Sequence, residues 1–361
     1  MKINLHNWRC FRNQTFEIDF NSQIWIGENG LGKTSLLSAL YTLFSQKPWP
    51  QTKFGQNLTF QKSYFGISSE YENFNFTAQI AQTGRLRTQF NLPENWNFLN
   101  LNNKPIIFTY TPIDNLWLFQ SRSNKIGILD NLLGQLFGDK YSSILKKLSL
   151  VVNQKQRYIK AVLDGETSND KILISNFTEQ IYNYSVIIWD FRRQYFEFLK
   201  TNFLNLNDWL EILVNSWQIN WQITDLNGNR GRNNYQNFDF NEDFVNDLWT
   251  RELASKKVLF SATRDDFEIF LENLNVNQIL SRGEMRLLVL FLKLQAVELL
   301  KKQDLDLPIW WFVDDIFNEF DKIREEVLVE KILNRGDLFL ATGTRLPTAK
   351  FTNYNLSDLT R

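Results

Sequence analysis

A chain of 361 residues that is 43% hydrophobic and 22% charged exceeds one ordinary core and suggests about two soluble domains rather than a disordered segment. Its 40 basic and 40 acidic side chains cancel, so bulk charge gives no argument for nucleic acid, and any DNA surface must be a local patch. One cysteine, Cys10, and one histidine, His6, exclude disulfide frameworks, Cys/His zinc sites and a histidine base elsewhere in the chain. No apolar run approaches the ~20 residues of a membrane span. The N-terminus, interrupted by Asn7, Arg9 and Arg12, lacks a signal-peptide pattern, so a cytoplasmic protein without a membrane partner is expected.

From residue 1 to about 110, short β-like runs (Phe16 to Phe20, Gln23 to Ile26, Phe74 to Ile80, Leu86 to Leu92, Ile106 to Tyr110) surround a single helical pattern at Leu36, Leu37, Ala39, Leu40 and Leu43. Between Ile24-Trp25-Ile26 and that helix stands Gly27-Glu28-Asn29-Gly30-Leu31-Gly32-Lys33-Thr34, with Ser35 next. The order G-x-x-x-x-G-K-T is that of a phosphate-binding loop: glycines let successive N–H groups turn inward on a polyphosphate at the positive end of a helix. Lys33 would reach the β- and γ-phosphates and Thr34 would ligate Mg²⁺, which makes ATP and Mg²⁺ the expected cofactors.

From 111 to 250 the spacing turns helical, with Tyr141, Leu145, Leu148, Val152 and Ile159, then Ile181, Ile188 and Tyr195, on buried faces. Lys146, Lys147, Lys155, Arg157, Lys160, Arg192 and Arg193 are expected on solvated faces, with phosphate binding as a secondary use. Asp225 to Asn234, rich in Asn and Gly, reads as a turn. Strand-like runs return near Val258. Leu280-Ser281-Arg282-Gly283-Glu284 then opens a helix from Met285 to about Lys301, and Ile309-Trp310-Trp311-Phe312-Val313 runs into Asp314-Asp315. A continuous apolar run followed by acids fits a buried parallel strand with carboxylates at its ligand-binding end. With a phosphate loop upstream, Asp314 is the expected metal-side carboxylate.

The order of these motifs, ending in Asn318-Glu319-Phe320-Asp321, resembles the ABC-type ATPase heads, and the finer resemblance is to the RecF family over nearly the whole chain. Trp8-Arg9-Cys10-Phe11-Arg12-Asn13 is similar to the family's F-R-N opening. Pro112 to Asp130 resembles a family signature beginning at a Pro and ending in Leu-Asp, and Thr263-Arg264-Asp265-Asp266 resembles its H-R-D-D. The chain departs at Ile113, Gln120, Ile126, Thr263, Asn318 and Phe320. The resemblance implies an α/β fold: an ABC-type P-loop ATPase head with a mixed sheet, formed by residues 1–110 and 251–361, into which a mainly helical lobe, 111–250, is inserted.

It further implies an ATP-driven homodimer in which Ser281 and the backbone of Gly283 of one copy face the nucleotide on the loop of the other. Asp315 would take the position of the catalytic glutamate beside Lys33 and Asp314, its shorter side chain suggesting slow turnover. Arg12 and Asn13 would touch nucleotide or serve the first strand alone. Thr342 stands where the switch histidine belongs, and Asp321 would lie in the segment crossing the dimer. The implied function is recombination mediation in repair and at replication gaps, on double-stranded DNA or gap junctions, with RecR and RecO partners. A transporter ATPase, a non-hydrolysing nucleotide-gated scaffold and a defence-system ATPase remain open alternatives at this point.

Overall fold

Apolar and polar residues alternate along β1 (Lys2–Trp8), burying Ile3 and Leu5, and a turn at Arg9 and Cys10 returns the chain as β2 (Phe11–Glu17). The computed structural model describes residues 1–19, 21–50, 52–69, 75–80, 86–91, 105–205, 207, 217–224, 230–232, 240–303, 307–315, 338–343 and 352–355. In chain order there follow β3 (Gln23–Ile26), α1 (Lys33–Ser45), β4 (Tyr64–Ser69), β5 (Asn75–Ile80), β6 (Leu86–Asn91) and β7 (Ile106–Tyr110). A 3-10 stretch, Pro112–Phe119, leads to α2 (Arg122–Phe137), α3 (Asp139–Leu163), α4 (Lys171–Asn202), β8 (Trp217–Thr224), β9 (Arg230–Arg232) and α5 (Glu242–Ser255). Last come β10 (Asp266–Leu271), β11 (Leu274–Asn275), the one-turn α6 (Val276–Ile279), α7 (Arg282–Lys301), β12 (Ile309–Val313), β13 (Leu338–Gly343) and β14 (Thr352–Asn355).

These elements form two compact units, Met1–Asp114 with Asp304–Arg361, and Asn115–Gln303. In the first unit the two strand directions are kept in separate sheets. One is antiparallel in the order β2-β1-β4-β5-β6; the other is wholly parallel in the order β14-β3-β13-β12-β7. Every residue of β12 is buried, as its unbroken apolar sequence requires of a central parallel strand. Helix α1 shares one core with both sheets: Leu36, Leu40 and Leu43 meet Ile3, Leu5 and Phe65 from the first and Trp310, Phe312 and Leu340 from the second. The Phe44 and Trp310 rings meet edge to face, 4.9 Å between centroids.

The second unit combines α2 to α7 with an antiparallel sheet in the order β11-β10-β8-β9. Two expectations change here. Residues 251–303, expected in the head, cluster with the middle segment, because α7 packs on α2 and α4 and the Tyr195 hydroxyl donates to the Leu292 carbonyl at 2.7 Å. The segment expected as a turn also changes: Arg230–Arg232 within it forms β9 against β8, while 225–229 and 233–234 lie outside the described residues.

Lys155 and Arg192 are not on solvated faces. The Lys155 ammonium pairs with Glu252 at 2.7 Å and donates to Thr178 Oγ1, all three side chains buried. The Arg192 guanidinium, fully buried, spans Asp130 and Asp265, each at 2.6 Å. A long stem carries a charge into a helix interface readily when carboxylates wait there, and residue type alone does not reveal it. The signature segment thereby gains a structural role. Asp130 and Asp265 hold Arg192, Asp266 pairs with Lys125 at 2.6 Å, and Asp114 accepts from the Thr111 N–H at 2.7 Å. Ile126, one of the departures from the resembled signature, is buried.

Candidate nucleotide-binding site

The site stands at the carboxyl ends of three neighbouring strands, β3, β13 and β12. Their register pairs Gly343 with Ile26 and Ala341 with Val313, so the loop after β3, Thr342 on β13 and Asp314 after β12 emerge together. In the loop, Gly30 and Gly32 adopt φ of +90° and +96°, a region that side-chain-bearing residues rarely occupy. At Gly32 space is closed as well: a Cβ would stand 2.5 Å from Phe11 Cζ and 2.9 Å from Cys10 Sγ. Glu28, Asn29, Gly30 and Leu31 arch into solvent, while Lys33, 8% exposed, turns back so that Nζ donates to the carbonyls of Gly27 at 2.6 Å and Glu28 at 2.8 Å. Burial lowers the Lys33 pKa, and Asp315 and Asp314 act to hold it up.

Thr34 Oγ1 donates to Asp314 Oδ1 at 2.8 Å, joining residues 280 positions apart. Thr342 Oγ1 donates to the same oxygen at 2.6 Å and accepts the Asp315 N–H at 3.0 Å, so one hydroxyl fixes both acids. Asp314 is buried, and its own N–H donates to the Tyr110 carbonyl at 2.8 Å. Burial raises the Asp314 pKa and Asp315 adds to this, against the lowering effects of Thr342, Thr34 and Arg9. Asp315 sits at a left-handed φ of 52°, so the extended backbone of β12 does not continue through it.

The residues present fit both expected cofactors. The two partners of Lys33 Nζ are neutral carbonyls that a phosphate can replace, and the hydroxyl and carboxylate oxygens of Thr34 and Asp314 are the hard donors that Mg²⁺ takes alongside phosphate and water. Among the described residues no group of three or more His, Cys, Asp or Glu side chains offers a self-sufficient metal site. Ser35 holds the loop from below: its carbonyl accepts Trp8 Nε1–H at 2.8 Å, and its hydroxyl accepts the Cys10 thiol at 3.4 Å.

Arg12 and Asn13 lie in β2 with exposed side chains, and among the described residues no hydrogen bond joins either to the loop. The turn before them meets it instead, through Trp8, Cys10 and Phe11. Two contributors are hidden or half hidden in the sequence. Thr342 suggests itself there only as a γ-phosphate sensor, whereas its bonding to both acids follows from the β12–β13 register. Arg9 is marked there only as part of the segment Trp8 to Asn13, with no role of its own, because no spacing rule locates the β1–β2 turn.

The second unit carries Ser281 and Gly283. Ser281 caps α7: its hydroxyl accepts the Glu284 N–H at 3.3 Å while the Glu284 carboxylate accepts the Ser281 N–H at 2.7 Å. Ser281 is exposed, and its own hydroxyl proton takes no part in this cap. Asn318 to Asp321 lie outside the described residues.

The sequence pattern of the AAA ATPase domain family matches residues 1–282. The chain belongs to the AAA ATPase domain family. Within it the resemblance to RecF runs the length of the chain. A DNA replication and repair protein RecF from Flavobacterium johnsoniae is 23% identical, covering 94% of this chain and 92% of the relative. The RecF of Acetivibrio thermocellus is 23% identical over 99% of this chain and 95% of its own, and that of Streptococcus agalactiae is 25% identical over 94% and 90%. The fold of this AAA ATPase domain protein is that of the solved recombination mediator protein RecF with ATP, at a TM-score of 0.72, 19% identity, and coverage of 97% of this chain and 92% of that one.

Proposed function

We propose that the protein is an ATP-gated, DNA-binding recombination mediator of the RecF kind, acting in DNA repair and replication-gap processing with slow ATP hydrolysis. The observation that carries this reading is the junction of Thr34 with Asp314, which assembles a metal-ready phosphate site from opposite ends of the sequence. Its DNA role is drawn from relatives whose names describe replication and repair, and from a structural neighbour described as a mediator in the RecFOR pathway. RecR- and RecO-type partners follow from the same source.

Bound Mg²⁺-ATP supplies the phosphoryl group and the charge that the site must neutralise. Lys33 would exchange the Gly27 and Glu28 carbonyls for phosphate oxygens, and Thr34 and Asp314 would hold the cation through oxygens already adjacent. Asp315, its backbone tethered to Thr342, would polarise the attacking water, since such hydrolysis is mainly positioning plus electrostatics. Ser281 and the Gly283 N–H of a second copy would approach the terminal phosphate at the positive end of α7. Loss of that phosphate would remove the contact that distinguishes the two-copy state, timing its release.

Binding and turnover measured together test the reading. Lys33→Ala should lose ATP binding, whereas Asp315→Ala should bind ATP and lose hydrolysis. Wild-type turnover is expected below ~1 s⁻¹, the low end for enzymes. Hydrolysis unaltered in Asp315→Ala would remove this residue from the mechanism.

A further inference from the structure

Between α1 and β4 the chain meets β1, leaves it and rejoins it. Leu58 pairs with Trp8 and Gly66 with His6, so residues 59–65 stand opposite Asn7 alone and must loop out. The base of this excursion is fixed, since the Thr59 N–H donates to the Asn7 carbonyl at 2.9 Å and Thr59 Oγ1 to the Arg9 carbonyl at 2.8 Å. Its tip is a tight turn from Thr59 to Lys62, closed by the Lys62 N–H donating to the Thr59 carbonyl at 3.0 Å, with Gln61 at a left-handed φ of 64°.

Phe60 stands at the head of this turn, 85% exposed, the most exposed large apolar side chain among the described residues. One exposed apolar side chain is ordinary by itself. This one is held out on a backbone anchored at its base, so a ligand that covers the ring has little chain freedom to remove. Further along the same excursion Tyr64, 48% exposed, stacks on His6 with ring centroids 5.1 Å apart and shares a hydrogen bond with its Nε2 at 2.8 Å. Lys53 and Lys62 are exposed on either side of Phe60 in the sequence, and from Asn29 to Ser69 the chain has four lysines and no acid. In a protein whose charges cancel overall, this is a local surface of cations and aromatic faces without a competing carboxylate of its own. Unpaired nucleotides match it: their base rings stack on aromatic side chains while their phosphates take the ammonium groups. A closed duplex offers the phosphates only, because its bases are already stacked on one another.

We propose that the turn at Phe60 is a stacking platform for an unpaired base of single-stranded DNA, with Lys53 and Lys62 meeting the phosphates on either side of that base. The proposal rests on the DNA reading above and gives it a structure preference, a duplex with a single-stranded extension over a blunt one.

The test is equilibrium binding of the full chain, with ATP and Mg²⁺, to three DNAs: a blunt duplex, the same duplex with a single-stranded tail, and the tailed duplex with an abasic tail. Wild type should bind the tailed duplex about tenfold more tightly than the other two, the scale of one base stacked on an aromatic ring. Phe60→Ala should lose that advantage, bind the blunt duplex as wild type does and keep the wild-type Tm, whereas Phe60→Trp should retain the advantage. Replacing Lys53 and Lys62 by Gln should flatten the log–log salt dependence on the tailed duplex by about 0.7 for each single-strand phosphate no longer neutralised. The platform is overturned if the advantage of the tail survives in Phe60→Ala or with abasic nucleotides. Equal weakening of Phe60→Ala on all three DNAs would also overturn it. So would intact DNA binding by Phe60→Ala together with loss of its ATP-dependent dimer mass, which would give the ring to a contact between copies. A wild-type chain that binds none of the three DNAs would instead overturn the underlying DNA reading.

Discussion

A single carboxylate oxygen, Oδ1 of Asp314, accepts from both Thr34 and Thr342 inside a buried corner whose neighbour is a second acid. Satisfied in hydrogen bonds, it is still costly in charge, because burial and then Asp315 raise its pKa. The sign of the consequence follows from linkage. With the folded pKa above the unfolded value, the native state binds a proton more tightly than the unfolded chain, and stability falls as pH rises through the carboxylate range. Asp314→Asn keeps an acceptor at Oδ1 and removes the charge. Its nucleotide-free Tm at pH 7 should exceed that of wild type, and the gain should vanish below about pH 4, where an ordinary carboxylate is protonated in both states. The same variant should lose Mg²⁺-dependent ATP binding. A lower Tm at pH 7 would show that the ionised form is stabilising, contrary to the burial argument. The loop with Lys33 and Thr34 is readable in sequence because its glycine spacing has few other uses, and Asp314 is readable only in combination with that loop, since an apolar run ending in acids alone is an ordinary buried strand. Thr342 is only half readable, since its partners are decided by strand register rather than by any neighbour in the chain.

Among elements, β3 and β7 match the expected Gln23 to Ile26 and Ile106 to Tyr110, whereas β1 and β4 are not delimited by the sequence, and of the run expected at Phe16 to Phe20 only Phe16 and Glu17 are strand, ending β2, with Phe20 outside the described residues. β5 and β6 also lie within the expected Phe74 to Ile80 and Leu86 to Leu92, whereas the start of Phe11–Glu17, a mixed strand entered from a tight turn, is not marked by periodicity. On α3 and α4, periodicity locates the buried faces but misassigns Lys155 and Arg192, whose charges are met by Glu252, Asp130 and Asp265 from distant positions. Arg192→Ala leaves the buried Asp265 and the partly buried Asp130 without their cation and should cost about 3–5 kcal/mol in denaturant unfolding. A cost below ~1 kcal/mol, as for surface pairs, would mean that the ion triad is dispensable. The remaining cations of α3 behave otherwise. Lys140, Lys146, Lys147, Arg157 and Lys160 are exposed on the side opposite buried Tyr141, Leu148 and Ile159, and Asp139 is the sole acid on that helix. On the proposed DNA-binding reading, this basic face is where duplex phosphates would be met. Replacing Lys146 and Lys147 by Glu should weaken duplex binding and flatten its log–log salt dependence by about 0.9 for each phosphate no longer neutralised. An unchanged slope would place DNA elsewhere.

For the molecule as a whole, the phosphate loop and the acidic pair belong to one compact unit, Met1–Asp114 with Asp304–Arg361, and the capped Ser281 helix to the other, Asn115–Gln303. Among the described residues no helix is long and apolar enough to cross a membrane. The two-part organisation is legible from length and from the change of periodicity after Tyr110. The allegiance of residues 251–303 is not, because it depends on how α7 packs against α2 and α4. The central claim is that nucleotide on one copy is completed by Ser281 and Gly283 of another, making ATP the gate for a two-copy clamp on DNA. The most direct measurement is the mass in solution of Asp315→Asn with and without ATP and Mg²⁺, in the presence of a duplex oligonucleotide. A monomer that becomes a DNA-retaining dimer only with ATP is the predicted result; a monomer that persists with ATP and DNA both present would contradict the account.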